Sequence, residues 1–268
     1  MTAASTHYLI CLKGVIWREG LRFVHQRERF IAALVRPLIW LLIFAAGFRS
    51  ILGVSITPPY DTYITYETYI VPGLMAMIQL FNGMQSSLSL VYDREMGSMR
   101  VLLTTPLPRW YLLFCKLIAG TLVSLLQVYA FLIIAELVIV DVPLLGWLAI
   151  LPVLIVSGLM LGALGMLLSS TIRQLENFAG IMNFVIFPMF FLSSALYPLW
   201  RMRESSEVIY QICVLNPFTY VVEAARHALY LKLNVEALLV VVLCAIVFFA
   251  LAVFGYDAKK GMARRAPA

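Results

Sequence analysis

Six apolar runs dominate this chain, at about residues 34–54, 70–91, 111–135, 148–170, 178–199 and 235–256. Each has the roughly 20 residues that a helix rising about 1.5 Å per residue needs to cross about 30 Å of hydrocarbon. A soluble core cannot absorb so much apolar surface: 62% of the 268 residues are hydrophobic and 13% charged, about half the charged share of an ordinary soluble domain. The expectation is an all-α membrane protein with six transmembrane helices.

Six crossings put both termini on one side, and lysine and arginine decide which, because cytoplasmic loops keep positive charge. Lys13, Arg18, Arg22, Arg27, Arg29 and Arg36 precede or open span one, and Arg94, Arg100, Arg109 and Lys116 stand between spans two and three. Arg173 follows span four; Lys259, Lys260, Arg264 and Arg265 follow span six. These are 15 of the 20 basic residues, against Arg49, Arg201, Arg203, Arg226 and Lys232 on the other face. Both termini and Arg100 are therefore expected in the cytoplasm, with Tyr63 and Ser205 outside. The formal net charge of +6 reports this topology, and no nucleic-acid partner is expected. The expected organisation is a cytoplasmic amphipathic segment over 1–33, a six-helix membrane domain over 34–256 and a basic cytoplasmic tail over 257–268.

Charges scattered between Lys13 and Arg29 leave no uninterrupted apolar core for a secretory signal, so the first span is read as retained. Leu9 to Phe30 reads instead as an amphipathic helix. At 100° per residue, Arg18, Arg22, His25 and Arg29 share one face; Leu9, Leu12, Ile16, Gly20 and Phe23 lie opposite, flanked by Trp17 and Val24. Such a helix either lies in the cytoplasmic headgroup layer or packs on a partner protein. Cys11, Cys115, Cys213 and Cys244 form no CxxC pair, so neither a disulfide framework nor a metal site is expected.

Ionised groups inside the spans need an account, since each is costly at mid-bilayer. Lys116 and Glu136 would stand roughly 30 Å apart on one helix, each near an interface where it can snorkel. Arg49 follows Pro37 too closely to end span one, which must continue past it. In span two, Gln79, Asn82, Ser86 and Ser89 make a polar stripe that has to face protein or water. Hydrogen bonding between helices and substrate contact are both open readings, with Gly120, Ser124, Gln127 and Asn183 as possible partners. Gly158 and Gly162 form a small-xxx-small pair suited to helix packing. Tyr60, Tyr63, Tyr66 and Tyr69 read as an outer aromatic belt, with carbohydrate stacking as a second role.

Between spans five and six, Asn216 is an expected N-cap with Pro217 at the first helical position, and Glu223 and Arg226 are spaced to pair. Two short helices, about 204–215 and 216–231, either dip into the outer leaflet against the spans or form a surface hairpin. The loop from Asp93 to Arg109 mixes charge with Gly97, Pro106 and Pro108, which marks a short helix stopping near Thr105.

Arg94-Glu95-Met96-Gly97, then Leu102-Leu103-Thr104-Thr105-Pro106 and Lys116, resembles the RE-x-G…LL-x-x-P…K pattern of ABC-2-type permeases. Tyr66 to Gly73, Ser193 to Pro198, and Asn216 to Tyr220 with Arg226 resemble further landmarks of that family in the same order. The similarity is to permeases related to those of nodulation-factor and daunorubicin exporters. The chain departs from the pattern at Ser98, where many relatives carry Thr, and at Met99-Arg100, a commonly acidic site.

The resemblance implies a dimer of permeases sitting on two copies of an ABC nucleotide-binding ATPase subunit in a bacterial inner membrane. It also implies a cytoplasmic coupling helix from Arg94 to Thr105, with Arg94, Glu95, Gly97, Arg100, Thr105 and Pro106 as coupling residues. An interface helix would carry Trp17, Arg18, Arg22 and Arg29, and re-entrant helices near Pro198, Asn216, Pro217, Glu223 and Arg226 would lie on the outer side. Gln79, Asn82, Ser86 and Asn183 are candidate lining for a translocation path.

No GxxxxGK[ST] loop is present, so ATP and Mg are expected on the partner, with no cofactor or catalytic residue in this chain. An ion-coupled secondary transporter, the alternative, would normally carry carboxylates deep in its spans, and Glu136 alone is available. A membrane-embedded enzyme would need clustered ligands or a nucleophile with its base, whereas His7, His25 and His227 are scattered. The weakly charged spans suit an amphipathic, lipid-linked or drug-like cargo moved outward.

Overall fold

The computed structural model describes residues 2–25, 27–48, 58–61, 64–95, 107–138, 142–172 and 174–256. Among them are ten helices and no strand: α1 Thr2–His25, α2 Arg27–Phe48, α3 Tyr66–Glu95, α4 Arg109–Val138, α5 Leu144–Thr171, α6 Leu175–Phe191, α7 Leu199–Ser205, α8 Glu207–Leu215, α9 Pro217–Leu229 and α10 Val235–Gly255. Arg49, Tyr63, Gly97, Arg100, Thr105, Pro106, Arg173 and the tail over 257–268 lie outside the described residues.

Side-chain contacts fix the direction of each long helix. Lys116 near the start of α4 pairs with Asp93 at the end of α3, at 2.7 Å. The Tyr256 hydroxyl, just past α10, meets Ser169 at the end of α5. At the opposite end, the Tyr66 hydroxyl at the start of α3 donates to the Leu196 carbonyl beyond α6, at 2.9 Å. Lys232, just before α10, pairs with Asp61 before α3, at 2.6 Å. Successive long helices therefore run in alternating directions, with α1 at the end that holds Lys116.

Among the described residues, three helices are long and apolar enough by themselves to cross a membrane: Arg109–Leu137, Leu144–Thr171 and Val235–Gly255. Phe30–Ile43 and Leu175–Phe191 are shorter apolar helices, and α8 with α9 forms a pair bent by 76°. Large apolar side chains cover the outside of the bundle, among them Leu126, Leu148, Phe184, Leu243 and Ile246. That is the surface a lipid-solvated protein presents. α3 is the exception. It packs against α2, α4, α5, α6 and α9, and every residue from Tyr69 to Phe81 is buried, so its surroundings there are protein, and Gln79 and Asn82 find partners on neighbouring helices.

Close approach at glycines makes this packing possible. A Cβ on Gly83 of α3 would sit 2.9 Å from the Gly162 backbone nitrogen of α5, and one on Gly162 would sit 2.6 Å from Leu117 Cδ1 of α4. One on Gly158 would meet Thr121 Cγ2 at 2.8 Å. The small-xxx-small pair thus packs three helices together.

Several expectations change. The stretch expected as one amphipathic helix is described as α1 up to His25 and α2 from Arg27, with Gln26 between them outside the described residues, and Arg29 belongs to α2. Phe23 of α1 and Phe30 of α2 meet edge to face at 5.3 Å. Span five was expected to reach residue 199, yet α6 stops at Phe191. Pro188 lies in its last turn, and the Ser193 hydroxyl donates to the Phe190 carbonyl at 2.6 Å while accepting from Ala195 N, an alternative to helical bonding. Finally, the outer region holds three short helices, and α9 packs inside the bundle against α3, α5 and α10.

Candidate functional site

The polar stripe on α3 divides into a sealed half and an open half. In the sealed half, Gln79 Nε2 donates to the Leu154 carbonyl at 2.7 Å and Gln79 Oε1 accepts from the Ser157 hydroxyl at 2.8 Å, both on α5. Next along the helix, Asn82 Nδ2 donates to Gln127 Oε1 of α4. One turn further the stripe opens: the Ser86 and Ser89 hydroxyls donate back to the Gly83 and Ser86 carbonyls of their own helix, and both residues line a cleft of about 420 Å³. A cleft of that size falls within the range of small-molecule sites.

Its walls come from four helices. Glu19, Arg22 and Phe23 belong to α1, Asn82, Gln85, Ser86, Ser89, Tyr92 and Asp93 to α3, Gly120, Val123 and Gln127 to α4, and Leu175 to α6. α1 is pinned here by the Tyr111 hydroxyl of α4, which donates to the Tyr8 carbonyl at 2.6 Å, and by the edge contact of the two rings at 4.7 Å. Glu19 accepts from Arg18 at 3.0 Å and from Arg22 at 3.3 Å. Lys116 does not snorkel into water. It is buried against Asp93, which neutralises both charges at the cleft wall. Glu136 stands in the last turn of α4, at the far end of the same helix.

The base of the cleft holds a link that no sequence spacing signals: Glu95 Oε2, at the end of α3, accepts from Leu175 N at 3.3 Å. Gln174 supplies no side-chain cap to α6, so a carboxylate from another helix satisfies one of the amides left free at its start. Arg94 ends the same helix.

At the opposite end, the expected aromatic belt is a buried clasp. Tyr60, Tyr66 and Tyr69 are core residues; the Tyr69 hydroxyl donates to the Ser194 carbonyl at 3.0 Å. Arg226, 1% exposed, pairs with Glu223, donates to the Ser194 carbonyl at 2.8 Å and lies over the Tyr69 ring at 4.0 Å. Asn216 caps α9 by accepting from Phe218 N at 3.0 Å and donates to the Met189 and Leu192 carbonyls at 2.7 and 2.6 Å. Pro217 holds the first helical position and Pro198 precedes α7.

Two expected residues stand apart. Asn183 of α6 is exposed and is not among the cleft residues. On α1 the exposed large apolar residues are Leu9, Ile10, Trp17, Leu21 and Val24, whereas Leu12, Ile16 and Phe23 of the expected apolar face are half-buried. Tyr8 meets α4 and Glu19 lines the cleft, and Trp17, 68% exposed, points the other way.

A profile of the ABC-2 type transporter family matches residues 11–230. The ycf38 protein of Porphyra purpurea, described as a transport permease, is 28% identical over 81% of this chain and 72% of its own. Its counterpart in Cyanophora paradoxa is 27% identical over 76% and 70%. YbhR of Escherichia coli, described as a multidrug ABC transporter permease, is 28% identical over 65% of this chain and 46% of its own length. The matched stretch contains α3, α4 and the cleft between them as well as the clasp at Arg226, and the chain belongs to the ABC-2 type transporter family of membrane permeases.

Proposed function

We propose that the chain is the membrane subunit of an ATP-driven exporter, crossing the membrane six times with both termini in the cytoplasm. Two copies would sit on two ABC ATPase subunits, which bind the ATP and Mg. The cargo is amphipathic, lipid-linked or drug-like, and the site is a bacterial inner membrane. The observation that carries this reading is the cleft beside α1: polar groups on the central helix are sealed toward one end of the bundle and open toward the end where basic residues collect. A carrier accessible from the cytoplasm has that asymmetry.

In this reading α1 is the interface helix, and the segment from Arg94 to Thr105 is the coupling helix docked on the ATPase. Glu95, holding the start of α6 from the end of α3, lets the partner move α3, α4 and α6 as one body. Asn82 and Ser86 line the path at the cleft and Gln79 continues it above. The test is purification of the full chain from its own membranes, followed by ATPase assay with added amphiphiles. A co-purifying ATP-binding subunit whose hydrolysis rises with cargo is expected; a chain that transports with no such subunit overturns the proposal.

A further inference from the structure

Arg36 raises a question that the cleft answers. It lies nine residues into α2, roughly 14 Å along the helix from its start, within an apolar run where an ionised side chain needs a partner. Among the described residues its guanidinium meets no carboxylate; it rests on the face of Phe81, with Cζ 4.0 Å from the ring centroid. It lines a small hollow with Ala33, Pro37, Asn82, Gln85 and Gln127, and Asn82, Gln85 and Gln127 also line the larger cleft. The two spaces adjoin at those three side chains, which form a shared wall of the groove they make together.

The balance of charge along that groove is positive. Arg18, Arg22, Arg36 and Lys116 line it or pair with its lining, against Glu19 and Asp93 and, at the rim, Glu95. Every carboxylate except Glu95 is engaged by a cation, and Arg36 is the cation left over. Neutral donors stand beside it. Gln85 makes no hydrogen bond to another described residue, and Gln127 uses its carbonyl oxygen on Asn82, keeping its amide hydrogens to give. Alongside, Ile31, Val35, Ile39 and Leu42 present an exposed apolar stripe on α2.

We infer that the groove is a binding site for the anionic headgroup of an amphiphile, with Arg36 as counter-ion, Gln85 and Gln127 as donors, and the tails lying against the exposed stripe of α2. A guanidinium suits a phosphate because its planar fork gives two parallel hydrogen bonds. The inference rests on the transport reading for its purpose, since it names the class of cargo or lipid admitted from the leaflet beside α1.

The test is retention of phosphatidylglycerol by the full-length permease in phosphatidylcholine nanodiscs, counted by native mass spectrometry. Wild type should prefer phosphatidylglycerol over phosphatidylcholine by about tenfold, a preference that Arg36→Gln abolishes and Arg36→Lys largely keeps. Gln85→Ala, the milder change, should weaken retention about threefold. Glycerol 3-phosphate, which carries the anion without tails, should not compete at equal concentration. Equal retention by wild type and Arg36→Gln would overturn the site, and so would displacement by glycerol 3-phosphate, which would make it a soluble-anion site. No ATPase subunit is present in this measurement. Failure of the exporter reading would therefore leave the lipid count unchanged, and a null lipid count would leave the ATPase assay untouched.

Discussion

Arg226 joins three segments distant from one another in sequence: its own helix α9, the turn at Ser194 and the start of α3 at Tyr69. Its spacing from Glu223 is legible as an i, i+3 pair, and the cap at Asn216 is legible from the Asn-Pro sequence, because both are local geometry. The Tyr66 bond to Leu196 spans 130 residues, and nothing local distinguishes such a tyrosine from one in an interfacial belt. Removing the guanidinium leaves the Glu223 carboxylate without its cation and the Ser194 carbonyl short of a donor, so Arg226→Met should destabilise the permease by about 3–5 kcal/mol. Arg226→Lys should recover little, because one ammonium cannot reproduce the fork and its stacking on Tyr69. Thermal unfolding in detergent checks both; a lysine variant melting with wild type would show that charge alone suffices. Asn216→Ala removes a cap and two donated bonds and should lower stability by about 2 kcal/mol by the same measurement.

Helices are where the sequence speaks most clearly, since apolar runs of spanning length announce themselves without tertiary knowledge. What it hides is which helix lies at the centre. α3 carries more polar side chains than its neighbours, and the stripe from Gln79 to Ser89 reads equally as glue or as path. The structure divides it, with Gln79 bonded to α5 and Ser86 and Ser89 facing the cleft. What covers α1 was equally hidden, because period alone groups Leu12 and Ile16 on one face without naming its neighbour, and the contact between Tyr8 and Tyr111 supplies it. Glycines give the sharpest test at this scale. Gly83→Ala drives a methyl to 2.9 Å from the α5 backbone, which cannot move aside as a flexible side chain would, and should cost about 1–3 kcal/mol. Gly180→Ala, in α6 with nothing within 4 Å, should be neutral or stabilising by up to about 1 kcal/mol. Melting curves of the two variants should separate; coincident curves would remove the tight α3–α5 crossing.

On the scale of the whole molecule, the alternating helices gather Lys13, Arg18, Arg22, Arg109 and Lys116 at one end and Arg201, Arg203, Arg226 and Lys232 at the other, as the contacts at Asp93 and Asp61 require. In the proposed topology the first end is the cytoplasmic one, as the positive-inside rule expects. A cysteine placed at residue 205 in a background lacking native thiols should then react with an impermeant reagent in intact cells, and one at residue 100 should not. The coupling proposal belongs to this scale as well, because it concerns how force applied at one end reaches the bundle. Glu95 is the residue to change. Its bond to Leu175 N, at 3.3 Å on an exposed side chain, contributes at most about 1 kcal/mol to folding, so Glu95→Ala should assemble with its ATPase and melt within a few degrees of wild type. Yet it is the hydrogen bond from the end of α3 to the start of α6, and without it a push on the loop after α3 need not move α6. Substrate flux and substrate-stimulated ATPase, normalised to intact complex, should therefore fall severalfold while basal hydrolysis persists. Glu95→Gln keeps an oxygen that can accept from Leu175 N and should retain most of the flux, which separates the geometric link from the charge. Equal flux in wild type and Glu95→Ala would take this contact out of the path by which the ATPase drives the membrane domain.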